Sequence, residues 1–284
     1  MMGPRSIGPR DIEPGAPPAQ SMSLLDRIAT PIGRTALQGV DEIKGLYSVF
    51  VRTLYYIPFG GRHRRATIQQ MYELGTKSAF FVCITLGCLG MIMVYQAGLQ
   101  AKRLVPDYTM LGATFLELLV RDLAASIGAL MLATRVGAGI AAEIGSMVVT
   151  EQVDALRMSA ADPIDFLVVP RFLASVMMTG ALVICGGTAA LLAGALTAHV
   201  AFEVPYHVFF NLHLVTPGDL VTGLLKSLAY GAAIPIVSAH SGLTAEGGSE
   251  GVGWATTKAV VSSSLAVIIL NPIISTSCTL VFGK

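Results

Sequence analysis

The stretch SAFFVCITLGCLGMIMVYQAGLQA, Ser78 to Ala101, contains no charged residue. Its 24 residues, at about 1.5 Å of helical rise each, exceed the ~30 Å hydrocarbon core of a bilayer, so the run reads as a transmembrane helix. Similar runs follow downstream. Phe172 to Phe202 and Ala259 to Gly283 carry no Asp, Glu, Lys or Arg, and Leu220 to His240 carries Lys226 alone. A further apolar stretch, Thr109 to Ala133, is interrupted by Glu117, Arg121 and Asp122. The pattern predicts an all-α, polytopic membrane protein with about five transmembrane helices.

Composition agrees. The chain of 284 residues is 53% hydrophobic and only 13% charged, with a mean hydropathy of +0.66, whereas soluble domains are about a quarter charged. A net charge of +1 gives no clustered excess for a nucleic-acid partner. The four cysteines, Cys83, Cys88, Cys185 and Cys278, lie in apolar stretches without metal or disulfide spacing, and read as small core or lipid-facing side chains. His199, His207, His213 and His240 are scattered without ligand spacing, so no metal is expected.

N-terminal to the first span, Arg62, His63, Arg64 and Arg65 form a basic cluster. Before it, apolar residues at Ile32, Ala36, Val40, Ile43, Tyr47, Phe50 and Leu54 recur at steps of three or four, with Thr30 and Pro31 suited to a helix start. Such a stripe fits a helix lying in the membrane surface, with an amphipathic core helix as the alternative. Pro4, Pro9, Pro14, Pro17 and Pro18 mark an opening with no apolar signal region. The expected organisation is a disordered cytoplasmic tail over 1–23, an interfacial amphipathic helix and basic connector over 24–77, and a five-span domain over 78–284. Ten Lys and Arg precede the first span, and the Glu203 to Gly218 loop has none. The amino end is therefore expected in the cytoplasm, the carboxyl end outside, and the loop from Arg135 to Arg171 in the cytoplasm.

That loop reads RVGAGIAAEIGSMVVTEQVDALRMSAADPIDFLVVPR. Gly137, Ala138, Gly139, Ala141, Ala142 and Gly145 suit close helix packing. A short polar helix from Glu151 to Arg157 follows, and Asp162-Pro163 turns the chain back. The chemistry leaves two readings open, a docking element for a partner or a solvated loop.

The run resembles the signature of the MlaE/YrbE permease family, which serves the MCE-type lipid-transport ABC systems, and its actinobacterial YrbE-like branch in particular. The family's steps are matched by Arg135 and Gly137, by Ala142, Glu143, Gly145 and Met147, by Thr150, Glu151 and Gln152, by Asp162-Pro163 and by Pro170-Arg171. GVGWATTKAVV, Gly251 to Val261, followed by Ser263 to Val267, resembles the family's entry into its last span. Gln70, Tyr72, Gly75, Gly90 and Gln96 extend the likeness toward the amino end.

The resemblance implies a permease subunit in a bacterial inner or plasma membrane, paired with itself or a close paralogue. It implies an outward-facing lipid groove, MCE-domain proteins on the outer side, and a cytoplasmic ABC ATPase seated on a coupling helix at about 148–160. Glu143, Met147, Thr150, Glu151, Gln152, Asp154 and Leu156 are then the coupling residues, and Glu117, Arg121, Asp122, Lys226 and Asn271 the polar groups near the groove. No G-x-x-x-x-G-K-[ST] loop occurs, so the chain is expected to be no enzyme and to bind no cofactor, with ATP-Mg on the partner ATPase. No catalytic residue is assigned.

Charges inside spans are costly and by default functional. Glu117 and Arg121 are four apart and suited to pair on one face, with Asp122 pointing elsewhere. Lys226 matches a family lysine, although a side chain two turns from the span's outer end at Asp219 could also snorkel. Ala124 and Ala125 stand where the family commonly has Gly-Pro, so a kink there is lost or moved. Asn271-Pro272 replaces a common acidic residue, and Trp254 a basic one. Two other functions remain open, an ion-coupled carrier using the intramembrane charges and a non-transporting scaffold.

Overall fold

A computed structural model describes residues 24–59, 64–104, 110–211 and 213–282, and every regular element among them is helical. The expected tail over 1–23, together with Arg62 and His63, lies outside those residues. The chain divides into two units, residues 1–44 and 45–284.

In the first unit, residues from Leu24 onward belong to helix α1 (Leu24–Phe59). The helix starts ahead of the Thr30-Pro31 position suggested by the sequence. Pro31 forfeits one backbone bond, and the turns on either side keep theirs. Lys44 and Asp41 form an exposed pair at 3.8 Å, worth little to stability.

In the second unit, the α1 stripe residues Tyr47, Phe50 and Leu54 are 68%, 41% and 54% exposed. No other residue of the described chain covers them. Thr53 on the other side is buried, and its hydroxyl donates to the Val49 carbonyl at 2.7 Å.

Four helical stretches are long and apolar enough to span a membrane: Arg64–Arg103, Ile164–Phe202, Pro217–Leu243 and Gly248–Phe282. The first lies in α2 (Arg64–Leu104), which absorbs the expected basic connector. Gly75 is the only glycine among residues 64–77 and there is no proline, so the helix continues through the basic segment as one rod. The remaining expected span is segmented. It comprises α3 (Leu111–Leu118), the π-helical turn π1 (Leu119–Leu123), α4 (Ala124–Leu132), π2 (Ala133–Gly137) and α5 (Ala138–Val149). A kink at Ala124-Ala125 is expected to be lost or moved, and the structure has the π turn π1 ending directly before Ala124.

This path is also longer than the expected Thr109 to Ala133. Its second half, read as cytoplasmic loop, packs instead on α9 (Pro217–Leu243) and α10 (Gly248–Phe282). The small residues explain why: Ala141 and Gly242 bring the backbones of α5 and α9 together. The path crosses the whole bundle antiparallel to α7 (Val169–Phe202). Phe115 near its start stacks at 6.1 Å on Phe209 of the short α8 (Tyr206–Phe209), which follows α7. Glu143 near its end pairs at 2.8 Å with Arg171 at the start of α7.

The loop shrinks accordingly to Thr150–Pro163 and holds α6 (Gln152–Met158). A third π turn, π3 (Ile164–Val168), leads into α7, where Arg171 donates through Nη1 to the Leu167 carbonyl at 2.6 Å. The start of α9 is fixed by a capping box, in which the Asp219 carboxylate accepts from the Thr216 amide at 2.9 Å.

α6 ends in a Schellman turn: the Ala160 amide donates to the Arg157 carbonyl at 3.0 Å and the Ala161 amide to the Leu156 carbonyl at 3.1 Å. Ala160 holds the left-handed position at φ 60°, where a Cβ is strained. Ala160→Gly is expected to stabilise this turn by about 0.5–1 kcal/mol. Slower amide exchange across α6 is the readout; unchanged exchange refutes the strain argument.

Candidate functional site

The intramembrane charges converge through π1. In a regular α-helix, adjacent residues point about 100° apart. Arg121 and Asp122, consecutive in the widened π turn, both address α9. Asp122 Oδ1 lies 2.6 Å from Lys226 Nζ and accepts from the Ser126 hydroxyl at 3.0 Å. Lys226 is completely buried. The snorkelling alternative is thus overturned: a carboxylate on a neighbouring element holds the ammonium within the bundle.

One turn along α9, the buried Tyr230 hydroxyl donates to Asn271 Oδ1 of α10 at 3.1 Å. Asn271 also lies near Asp122, and Ser126 near Tyr230. Arg121 reaches farther toward the start of α9. Its Nη1 lies 3.7 Å from Asp219, and its Nη2 donates to the Thr279 hydroxyl at 3.0 Å. Asp219 is the residue that caps α9, so Arg121 ties the segmented helix to that helix start.

The opposite side of π1 is apolar. Leu116, Val120, Ile184, Leu191, Leu220 and Leu224 help to line a cavity of about 420 Å³ between α3, α7 and α9, with Ser227 beside it. Ser227 directly follows Lys226 in sequence. A charge network around the buried Lys226 and an apolar cavity therefore share the same short segment of wall.

The second group of expected site residues is split by the structure. Thr150, Glu151, Gln152, Asp154 and Leu156 belong to α6 and its entry, where Glu151 adopts φ 59°. α6 is anchored by the buried Val153; Gln152, Asp154 and Arg157 are exposed, and the last two pair at 2.9 Å. Met147 lies one turn back on α5. Glu143 is separate, engaged with the buried Arg171. Beyond α6, Asp162 accepts from the Ile164 amide at 2.9 Å and from the Tyr56 hydroxyl of α1 at 2.8 Å. That hydrogen bond, followed by desolvation and the nearby negative charge, raises the Tyr56 phenol above its ordinary pKa. The contact is complete below the ordinary tyrosine value near 10 and is lost as pH rises through the raised one.

Sequence reasoning missed Ser126 and Tyr230, and their signal was spacing: each lies four residues after a charged residue already singled out, Asp122 and Lys226. Thr216 and Thr279 left no comparable trace.

Comparison with known proteins gives a consistent result. A family profile described as "Permease MlaE" matches residues 67–277. A probable ABC transporter permease protein of Synechocystis is 38% identical over 75% of this chain and 81% of its own length. Another of the same description from Rickettsia felis is 33% identical over 89% of this chain and 98% of its own. The Arabidopsis thaliana protein TRIGALACTOSYLDIACYLGLYCEROL 1, chloroplastic, is 33% identical over 76% of this chain and 62% of its own.

Proposed function

The chain belongs to the MlaE permease family, and from that premise we propose that it is the permease subunit of an ABC transporter that moves lipids. The observation that carries the lipid reading is the pairing of the Asp122–Lys226 network, built on the buried Lys226, with an apolar cavity on the other side of π1. A ligand with a polar head and apolar tails is the ligand class such a wall suits. The Arabidopsis relative, whose name is that of a glycolipid, points the same way.

A permease of this kind works with an ATPase. In this reading the ATPase carries ATP-Mg and sits on α6, whose exposed polar face is joined through the short α5–α6 turn to the segmented helix bearing the charges. The amino end then faces the cytoplasm and the carboxyl end the outer side. A second permease subunit completes the groove, and an MCE-domain protein receives or delivers lipid outside.

The test is reconstitution of the full chain with its co-purifying ATPase in phospholipid vesicles, comparing wild type with Glu151→Lys. We expect ATP-dependent movement of headgroup-labelled phospholipid in the wild type. The charge reversal should shed the ATPase and abolish that movement while the permease remains monodisperse. Lipid movement that persists without any ATPase overturns this reading in favour of an ion-coupled carrier. An assembled ATPase with no lipid movement overturns it in favour of a scaffold.

A further inference from the structure

We propose that the cavity between the start of α2 and α5 binds the phosphate of a membrane phospholipid headgroup, with Arg135 as its principal contact and Lys77 as the second. The cavity measures about 240 Å³ and is lined by Gln70, Glu73, Lys77, Ser78, Arg135 and Glu143, among others. It is distinct from the Asp122–Lys226 network and from the apolar cavity beside it, since none of their residues lines it.

Three features define the occupant. The first is charge. Of the two carboxylates, Glu143 is engaged by Arg171 at 2.8 Å and Glu73 by Lys77 at 3.8 Å. Arg135 forms no ion pair among the described residues and is exposed. Counting Arg171, three cations face two carboxylates, and the surplus is the guanidinium that opens onto the cavity.

The second feature is depth. Lys77 immediately precedes the uncharged run beginning at Ser78, so the cavity lies where the hydrocarbon boundary meets the headgroups. An unpaired arginine at that level is costly unless an anion reaches it, and headgroup phosphates are the anions concentrated there. The third feature is donor geometry. A guanidinium forks onto two phosphate oxygens, and the Gln70 amide and Ser78 hydroxyl supply further donors around the same space. Leu74, Val136 and Ile140 give the cavity an apolar side. The inference rests on membrane placement alone and does not depend on the transport reading.

The full-length protein, delipidated in detergent, is titrated with phosphatidylglycerol and followed by native mass spectrometry. Arg135→Gln is expected to weaken binding about tenfold, as loss of one charged hydrogen-bonding group implies. Lys77→Gln should weaken it less, and Lys102→Gln, at the other end of α2, should leave it unchanged. Dioleoylglycerol, with tails but no phosphate, should bind weakly, and inorganic phosphate should fail to compete. Equal binding by wild type and by both cavity variants overturns the proposal. Dioleoylglycerol binding as tight as phosphatidylglycerol shows that tails alone are held, and also overturns it. Competition by inorganic phosphate makes this a soluble-anion site instead of a lipid site. Lys77→Gln provides an independent reading if Arg135→Gln alters the protein's elution. Because no ATP is involved, failure here leaves the permease reading intact, and loss of ATP-driven transport leaves this one intact.

Discussion

Asp122→Leu should destabilise the protein more than Lys226→Met, although each removes one half of the same pair. Removing one partner of a buried pair typically costs about 3–5 kcal/mol, because the survivor is left charged without compensation. The survivors differ. Lys226 is wholly buried, whereas the Asp122 side chain is 38% exposed and keeps the Ser126 hydroxyl at 3.0 Å. An orphaned Asp122 keeps the Ser126 hydroxyl; an orphaned Lys226 must stay charged in an apolar wall or give up its proton. We therefore expect Lys226→Met near the lower end of that range and Asp122→Leu near its upper end. The double variant should recover most of the stability, since an apolar pair of similar volume replaces a buried ion pair at little cost. Thermal unfolding in detergent measures the order. If the lysine variant is the less stable of the two, burial does not govern this pair. Recovered stability without recovered lipid movement in the double variant would separate a transport role from a structural one.

The features legible in the sequence were those set by length and by local cost. Runs such as Ser78 to Ala101 announce a span because nothing but a helix satisfies their backbone in hydrocarbon. Arg121, Asp122 and Lys226 announce themselves because charge there is expensive. What could not be read depends on neighbours. No residue of π1 or π2 has the Gly-Pro signature of a broken helix, yet π1 sets Arg121 and Asp122 on a common partner. The same limit explains Lys226, whose distance from the span's end left snorkelling open until Asp122, 104 residues away in sequence, was placed beside it. Glu143 is a related case: its family motif adjoins the loop residues, but its side chain answers to Arg171 on α7. Small residues between 137 and 145 correctly announced close packing. They were assigned to a loop because the expected second span was ended at Ala133, whereas the structure continues it through π2 and α5.

Two glycines make opposite predictions. At Gly90 a Cβ would meet the carbonyl oxygen of Ala190, with the carbonyl carbon at 2.9 Å and Cα at 3.0 Å. These are backbone atoms of α7, the helix against which α2 packs most extensively. They cannot rotate aside as a side chain could, so Gly90→Leu must separate α2 from α7. A loss of about 3 kcal/mol or more is expected, seen as failure to accumulate in the membrane or as early aggregation on heating. Gly139 on α5 has nothing within 4 Å of its Cβ position. Gly139→Leu should therefore leave stability within about 0.5 kcal/mol of wild type. Gly139 also lines the Arg135 cavity, so the added side chain should occupy the space assigned to a headgroup. The expected result is a stably folded protein with weakened phosphatidylglycerol binding and Arg135 still in place. Undiminished lipid binding by a folded Gly139→Leu protein would locate any phosphate contact of Arg135 outside the cavity, on the open face of the helix.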